Sequence, residues 1–171
     1  VIYKTTLFLG MPLFGMNQGM QPIVGYNYGA GKQERILKTI RLGFAYSVIY
    51  GLLAITLFEI FPREIFSLFT TEERLLNEGT QAMQIILSMM WLLGISISTT
   101  GIHQAMGKAR SAFILSILRW VLLIVPLILI LPRIGGLGLD GIWLAFPIAD
   151  GMAAIIALLV LNHTLRQAGI R

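Results

Sequence analysis

Five long apolar stretches dominate the chain, and short polar connections separate them. Each stretch is about 20 residues or longer, which as an α-helix spans the roughly 30 Å of a bilayer's hydrocarbon core. The period-two alternation of a membrane β-barrel is absent. A soluble all-helical core is the alternative, but five such runs with short connections favour the membrane. We therefore predict an all-α, polytopic membrane protein with about five transmembrane helices, at residues 5–28, 42–61, 82–106, 111–131 and 142–162.

The composition agrees with this prediction. Of the 171 residues, 56% are hydrophobic and 12% are charged, whereas a soluble domain carries about 25% charged residues. The chain has no cysteine and two histidines, His103 and His163. Thiol chemistry and disulfides are therefore excluded, and a zinc site made of Cys and His has too few ligands. We expect neither a metal site nor a cofactor.

The net charge of +5 reflects the connections between the spans. Basic residues concentrate in alternate connections, as the positive-inside rule describes for cytoplasmic loops. We therefore expect the chain to begin outside and to end in the cytoplasm, in the inner (cytoplasmic) membrane of a bacterial or archaeal cell. Because topology accounts for these cations, no nucleic-acid partner is predicted. The cations expected on the cytoplasmic side are Lys32, Arg35, Lys38, Arg41, Lys108, Arg110, Arg166 and Arg171.

The first span is unusually polar for a membrane helix. Its amide side chains belong to Asn17, Gln18, Gln21 and Asn27. Unpaired amides are costly in hydrocarbon, so they are expected to face a bundle interior or a wet cavity. Helical spacing places Asn17 and Gln21, with Gln18 beside them, on one face. Glycine pairs at i, i+4 spacing also permit close helix packing. Simple helix packing and the lining of a transport cavity both remain open for this span.

Two ionisable residues lie inside predicted spans. Arg119 is eight residues past Ser111, and Asp150 is eight residues past Ile142, so each lies roughly 12 Å into its helix. Antiparallel helices then bring the two Cα atoms to levels roughly 6 Å apart. We predict an intramembrane ion pair, because each charge alone is costly in lipid. Two different arrangements stay open: Arg119 extends to the cytoplasmic interface while Asp150 faces water, or Asp150 binds a proton or cation.

No arrangement of residues indicates catalysis. Gly136, Gly138 and Gly141 spell G-x-G-x-x-G, but a dinucleotide site needs a preceding strand within a βαβ unit. No Ser/His/Asp set or pair of carboxylates suggests an active site. The sequence therefore predicts a protein that is not an enzyme.

Several segments together resemble one transporter family. The stretch GMNQGMQPIVGYNYGAGKQERI looks like a motif of the multidrug and toxic compound extrusion (MATE) transporters, above all in its Gln-Pro pair and its GYNYGAG exit into a basic loop. The segments FPREIFSLFT, HQAMGKAR, LRWVLLIVPLILILP and GLGLDGIWLAFPIAD are similar to further family segments in the same order. The resemblance covers almost the whole chain.

The resemblance implies a twelve-helix transporter made of two six-helix bundles, of which this chain would supply the last five helices. Cationic or amphipathic small molecules would be exported in exchange for Na⁺ or H⁺ as the bundles rock. The partners implied are the lipid bilayer, the small-molecule substrates and an N-terminal bundle of the same polypeptide. Tyr26 and Asn27 lie in the matching motif and join Asn17, Gln18 and Gln21 as candidate substrate-cavity residues.

Departures from the family pattern leave the coupling ion undetermined. Members with a cation site in the C-terminal bundle place acids on the seventh and tenth helices. The seventh would precede this chain, and the tenth, residues 82–106, contains no acid. The nearest rival function is a lipid-linked sugar flippase or polysaccharide exporter, which tends to carry more basic residues in its cavity than Arg119 alone. A membrane enzyme and a non-transporting assembly partner are more distant rivals.

Overall fold

A computed structural model describes residues 2–134 and 136–170, and within these ranges the chain is helical, without strands. The predicted all-α fold class is therefore confirmed. The helical segments are α1 (Ile2–Gly29), α2 (Gln33–Ile60), α3 (Pro62–Ser67), α4 (Glu73–Leu87), α5 (Met90–Ala105), α6 (Ala109–Ile117), a π-helix (Leu118–Ile124), α7 (Val125–Ile130), a 3₁₀ turn (Leu131–Arg133) and α8 (Gly138–Gln167).

The second helix extends further towards the N-terminus than the apolar run predicts. The run starts at residue 42, but α2 begins at Gln33. Its first turns are amphipathic, because Ile36 and Ile40 are buried while the basic residues around them are exposed. A spacing of four keeps both isoleucines on the face that contacts the bundle. Hydrophobicity alone therefore located the apolar segment and missed its basic extension.

The predicted third span, residues 82–106, is two helices instead of one. The axes of α4 and α5 differ by 53° at a short break. At this break Ser88 Oγ donates to the carbonyl of Ile85 at 2.7 Å, and such local bonds compete with helix continuation. Across the break, Gly51 of α2 admits the backbone of Trp91, which any side chain at position 51 would meet. Neither feature interrupts the apolar run, so the run did not reveal the bend.

The fourth apolar run is one helical unit with a widened turn in its middle. Residues Ala109–Arg133 are long and apolar enough for one crossing, but Leu118–Ile124 adopt the π conformation. Pro126 follows this segment and lacks the N–H that an α-helix would donate to the carbonyl four residues earlier. Short π segments inside helices frequently occur at functional sites, and this one contains Arg119.

Helix α5 lies at the centre of the bundle and packs against α1, α2 and α8. A side chain at Gly94 of α5 would come within 2.7 Å of Ser47 Cβ on α2. Small residues let membrane helices approach closely and gain van der Waals contact, because lipid provides little hydrophobic drive between them. The same principle explains the small buried residues along α8. They include Ala145, Ala149, Ala153, Ala154 and Ala157.

Length and composition identify the helices suited to crossing a membrane. Among the described residues these are α2, Ala109–Arg133 and α8, and the bent pair α4–α5 is a fourth if it counts as one crossing. Helix α1 has 28 residues and is about 42 Å long, but its amides and glycines make it less apolar. On the outer surfaces, large apolar side chains such as Leu42, Leu53 and Ile155 are more than half exposed, as expected where lipid is the solvent.

Candidate functional site

A cavity of about 340 Å³ lies between α1, α5, α8 and the helical unit Ala109–Arg133. Small-molecule sites typically measure about 300–1,000 Å³ and combine apolar walls with a few polar groups. The apolar lining residues include Leu7, Phe14, Leu93, Ile97, Leu115, Trp120, Ala153 and Ala157. The polar ones are Thr6, Asn17, Ser96, Thr100, Gln104, Ser116 and Arg119.

Asn17 lies in the contact between α1 and α5. Its Oδ1 atom is buried without a hydrogen-bond partner among the described residues, and a side chain at Gly101 would overlap it. On the same cavity wall, Ser96 Oγ is also buried and unpaired. A buried polar atom without a partner costs about 1–3 kcal/mol. Water or a polar group of a ligand is the expected source of the missing bonds in a cavity of this size.

Gln21 lies one turn beyond Asn17 on the same side of α1. Its Nε2 donates to Oε1 of Gln104 on α5 at 3.2 Å. The face shared by Asn17 and Gln21 is therefore the face that packs against α5. Gln104 was not among the candidate cavity residues, although an amide near the end of an apolar helix was a signal for it.

A second face of α1 is open in this chain. Tyr26 lies on it and is 72% exposed, with the Lys32 Nζ atom 5.9 Å from its ring centre. Gln18 is exposed at the edge of this face. Side chains added at Gly15 or Gly19 would meet nothing within 4 Å. Adjacent residues of a helix point about 100° apart. Gln18 therefore lies at the edge of the face that Asn17 and Gln21 turn towards α5, where its side chain is exposed.

Asn27 does not line the cavity. It is 5% exposed, its Nδ2 donates to the carbonyl of Ile23 at 2.7 Å, and its Oδ1 has no partner among the described residues. A bond to its own helix satisfies part of the amide and leaves the acceptor free. The five candidate substrate-cavity residues therefore occupy three environments: the wall towards α5, the open face of α1, and this buried position.

Arg119 and Asp150 form an ion pair between the π segment and α8. Arg119 Nε donates to Asp150 Oδ1 at 2.6 Å, and the two side chains are 12% and 4% exposed. The guanidinium carbon also lies 4.4 Å from the centre of the Trp120 ring, which is a cation–π distance. Arg119 and Trp120 both line the cavity. The pair expected from the helix levels thus forms, and the charge that Arg119 brings to the wall is neutralised by Asp150.

A buried histidine joins α5 to α8. His103 is fully buried; its Nδ1 lies 2.8 Å from the Thr99 carbonyl and its Nε2 lies 3.1 Å from Thr164 Oγ1. Because a carbonyl oxygen only accepts, Nδ1 carries the proton and Nε2 accepts from the threonine. The side chain is therefore a packing residue. Within residues 2–134 and 136–170, no group of three or more His, Cys, Asp or Glu side chains is placed to hold a metal ion.

Comparison with known proteins shows the family of this chain. A protein-family model described as MatE matches residues 1–130. The chain belongs to the MATE transporter family. The multidrug export protein MepA of Staphylococcus aureus (strain bovine RF122 / ET3-1) is 26% identical over 162 residues, which make up 94% of this chain and 35% of MepA. The chain thus spans about a third of the length of this relative.

Solved MATE structures share the fold. The structure of the MATE multidrug transporter DinF-BH matches with a TM-score of 0.85 at 37% identity, over 98% of this chain and 37% of that one. An inward-facing multidrug resistance MATE transporter matches with a TM-score of 0.91 at 20% identity, over 98% of this chain and 39% of that one. These matches confirm the family resemblance and the location of the chain in a membrane.

Proposed function

We propose that this chain is part of an exporter of amphipathic and cationic small molecules. The observation that carries the proposal is the division of α1 into two polar faces. Asn17 and Gln21 pack towards α5, while Tyr26 lies on an open face and Gln18 is exposed at its edge. Exposed amides are costly in lipid, so the open face is best placed beside a water-accessible cleft. The multidrug exporters MepA and DinF-BH support this assignment by their similarity.

In this proposal α1 is a fifth membrane crossing, beside the three apolar helical units and the bent pair. The chain enters from outside and ends in the cytoplasm of a bacterial or archaeal cell, because the basic connections lie at one end of the helices. The rest of the polypeptide supplies the opposite bundle and the sixth helix of this one. Export proceeds by alternating access, in which two bundles rock around a binding site between them.

Export is coupled to the entry of Na⁺ or H⁺. Asp150 is the one buried carboxylate among the described residues, and it is paired with Arg119. We assign this pair a positioning role, because it holds α8 against the π segment at the cavity wall. The five helices form a scaffold and one wall of the cleft, and no covalent chemistry takes place.

The rival function is the export of lipid-linked sugars. A substrate of this kind that carries a diphosphate would be expected to need uncompensated basic groups, since phosphate recognition depends on free Arg and Lys donors. Arg119 is the only basic side chain that lines the cavity within the described residues, and Asp150 neutralises it. The charge of the wall therefore favours the drug exporter over this rival.

The test uses everted membrane vesicles that carry the full-length protein. Efflux of a cationic dye is followed under a Na⁺ gradient and under a proton gradient, applied separately. We expect one gradient to drive efflux in the wild type and vesicles without the protein to show none. Absence of efflux under both gradients contradicts the exporter, and transfer of a labelled lipid-linked sugar is then the assay that supports the rival.

A further inference from the structure

The outer surface of α2 changes from basic to apolar along one side of the helix. The members of this side, which we call the α2 strip, are Arg35, Lys38, Leu42, Tyr46, Ile49 and Leu53. Successive members are three or four residues apart, so they share one face. All of them are exposed, and the four large apolar residues are between 50% and 62% exposed.

The apolar part of the α2 strip matches the depth of one leaflet. From Leu42 to Leu53 the helix rises roughly 17 Å, and half of the hydrocarbon core measures about 15 Å. With Leu42 at the edge of the hydrocarbon, Arg35 and Lys38 lie roughly 6–11 Å beyond it, among the lipid headgroups. The strip is therefore long enough to lie alongside one phospholipid, from its phosphate to the ends of its acyl chains.

The cations at this end of the molecule have no carboxylate partners among the described residues. The ion pairs that those residues form all lie elsewhere. Glu34 precedes Lys38 by four residues, a spacing suited to an ion pair, yet the two form none. The unpaired cations are Lys32, Arg35, Lys38, Arg41, Lys108, Arg110 and Arg166.

We propose that Arg35 and Lys38, together with the apolar part of the α2 strip, bind an anionic phospholipid of the cytoplasmic leaflet. The arginine offers paired donors to phosphate oxygens, and the lysine offers a compact positive charge. The positive-inside rule explains why cations gather at this end. It does not explain why two of them continue the apolar strip, because cations on any face set topology equally well. This site is separate from the cleft beside α1.

The test measures lipid binding to the full-length protein in nanodiscs that contain phosphatidylglycerol and phosphatidylcholine. Native mass spectrometry counts the lipids that stay bound to the protein. Each cation near a membrane surface strengthens binding of anionic lipid about fivefold, so Arg35→Gln/Lys38→Gln is expected to weaken phosphatidylglycerol binding roughly 25-fold. The matched control, Arg110→Gln/Arg166→Gln, removes the same charge at the same end but off α2. It lowers only the general attraction of this surface for anionic lipid, so a clearly smaller loss of phosphatidylglycerol binding is expected than for Arg35→Gln/Lys38→Gln.

A gain-of-binding variant guards against misfolding of the double mutant. Glu34→Gln removes the one acid beside the site and is expected to strengthen phosphatidylglycerol binding several-fold. Equal weakening in both double variants, or a wild type without preference for phosphatidylglycerol, overturns the site. Dye efflux from the same preparations separates this inference from the proposed function, because lipid preference without efflux contradicts only the exporter.

Discussion

Arg119 Nε lies 2.6 Å from Asp150 Oδ1, and the two side chains are 12% and 4% exposed. The pair joins the π segment to α8 across the wall of the cavity. A buried ion pair adds little net stability compared with an apolar pair, but removal of one partner leaves an uncompensated charge. Loss of either charge alone is therefore expected to destabilise the protein, whereas loss of both together is expected to cost little.

Neutralising one partner should harm the protein more than neutralising both. We expect Arg119→Gln and Asp150→Asn each to destabilise the full-length protein by about 3–5 kcal/mol. The double variant should recover most of this loss, because Gln and Asn form a neutral hydrogen bond in the same place. The melting temperatures of the wild type, the two single variants and the double variant, measured in detergent, complete a double-mutant cycle. Losses that simply add would show that the two side chains do not interact.

The contact between Asn17 and Gly101 can be tested with one methyl group. Gly101→Ala places a Cβ atom on the Asn17 side chain, and overpacking of this kind typically costs about 1–3 kcal/mol. Gly15→Ala is the matched control, because its Cβ meets nothing within 4 Å and alanine favours helix by up to about 1 kcal/mol. Asn17→Ala should rescue Gly101→Ala in melting experiments. Failure of that rescue would locate the clash elsewhere.

The sequence predicted the apolar segments and the Arg119–Asp150 pair because both follow from the length of each helix and its rise per residue, and Arg119 lies at the start of the π segment. Apolar run lengths located the helices, and a rise of 1.5 Å per residue set the level of each charge. The bend between α4 and α5 was missed because it depends on a hydrogen bond from Ser88 and on close contact with Gly51. Neither the local bond of Ser88 nor the tertiary contact at Gly51 changes the hydropathy of the apolar run.

The candidate cavity residues on α1 also show that a sequence pattern does not reveal how helices pack against each other. Helical spacing correctly grouped Asn17 with Gln21, since both face α5. It could not show which face of α1 would meet another helix of the chain, and so it did not distinguish the exposed Gln18 from the buried Asn27. Their positions follow from the packing of α1 on its neighbours, which the polar pattern of one helix does not contain.

The hydrogen bond between His103 and Thr164 should stabilise the contact between α5 and α8. Thr164→Val keeps the shape but leaves His103 Nε2 without a donor, and a buried unsatisfied group costs about 1–3 kcal/mol. His163→Ala is the control, because the His163 side chain is exposed and, among the described residues, bonds only to Gln167 of its own helix, at 2.9 Å. We expect a lower melting temperature for the first variant and no change for the second. Equal melting of both variants and the wild type would argue against the bond.

The open face of α1 should matter for transport and not for stability. Gln18 is exposed and bonds to no described residue, so Gln18→Leu is expected to leave the melting temperature unchanged. If this face borders the export cleft, the loss of its amide should reduce cationic dye efflux several-fold, because a polar contact with substrate or with cleft water disappears.

Gln21→Leu separates the two faces of α1. Its amide donates to Gln104 on α5, and leucine removes that bond, so a loss of stability of about 0.5–1.5 kcal/mol is expected. Efflux and melting are measured on the same preparations of both variants. A Gln18→Leu protein that melts normally and exports dye at the wild-type rate would remove the open face from the mechanism. The α5-facing cavity, with Arg119 in its wall, would then be the better candidate for the substrate path.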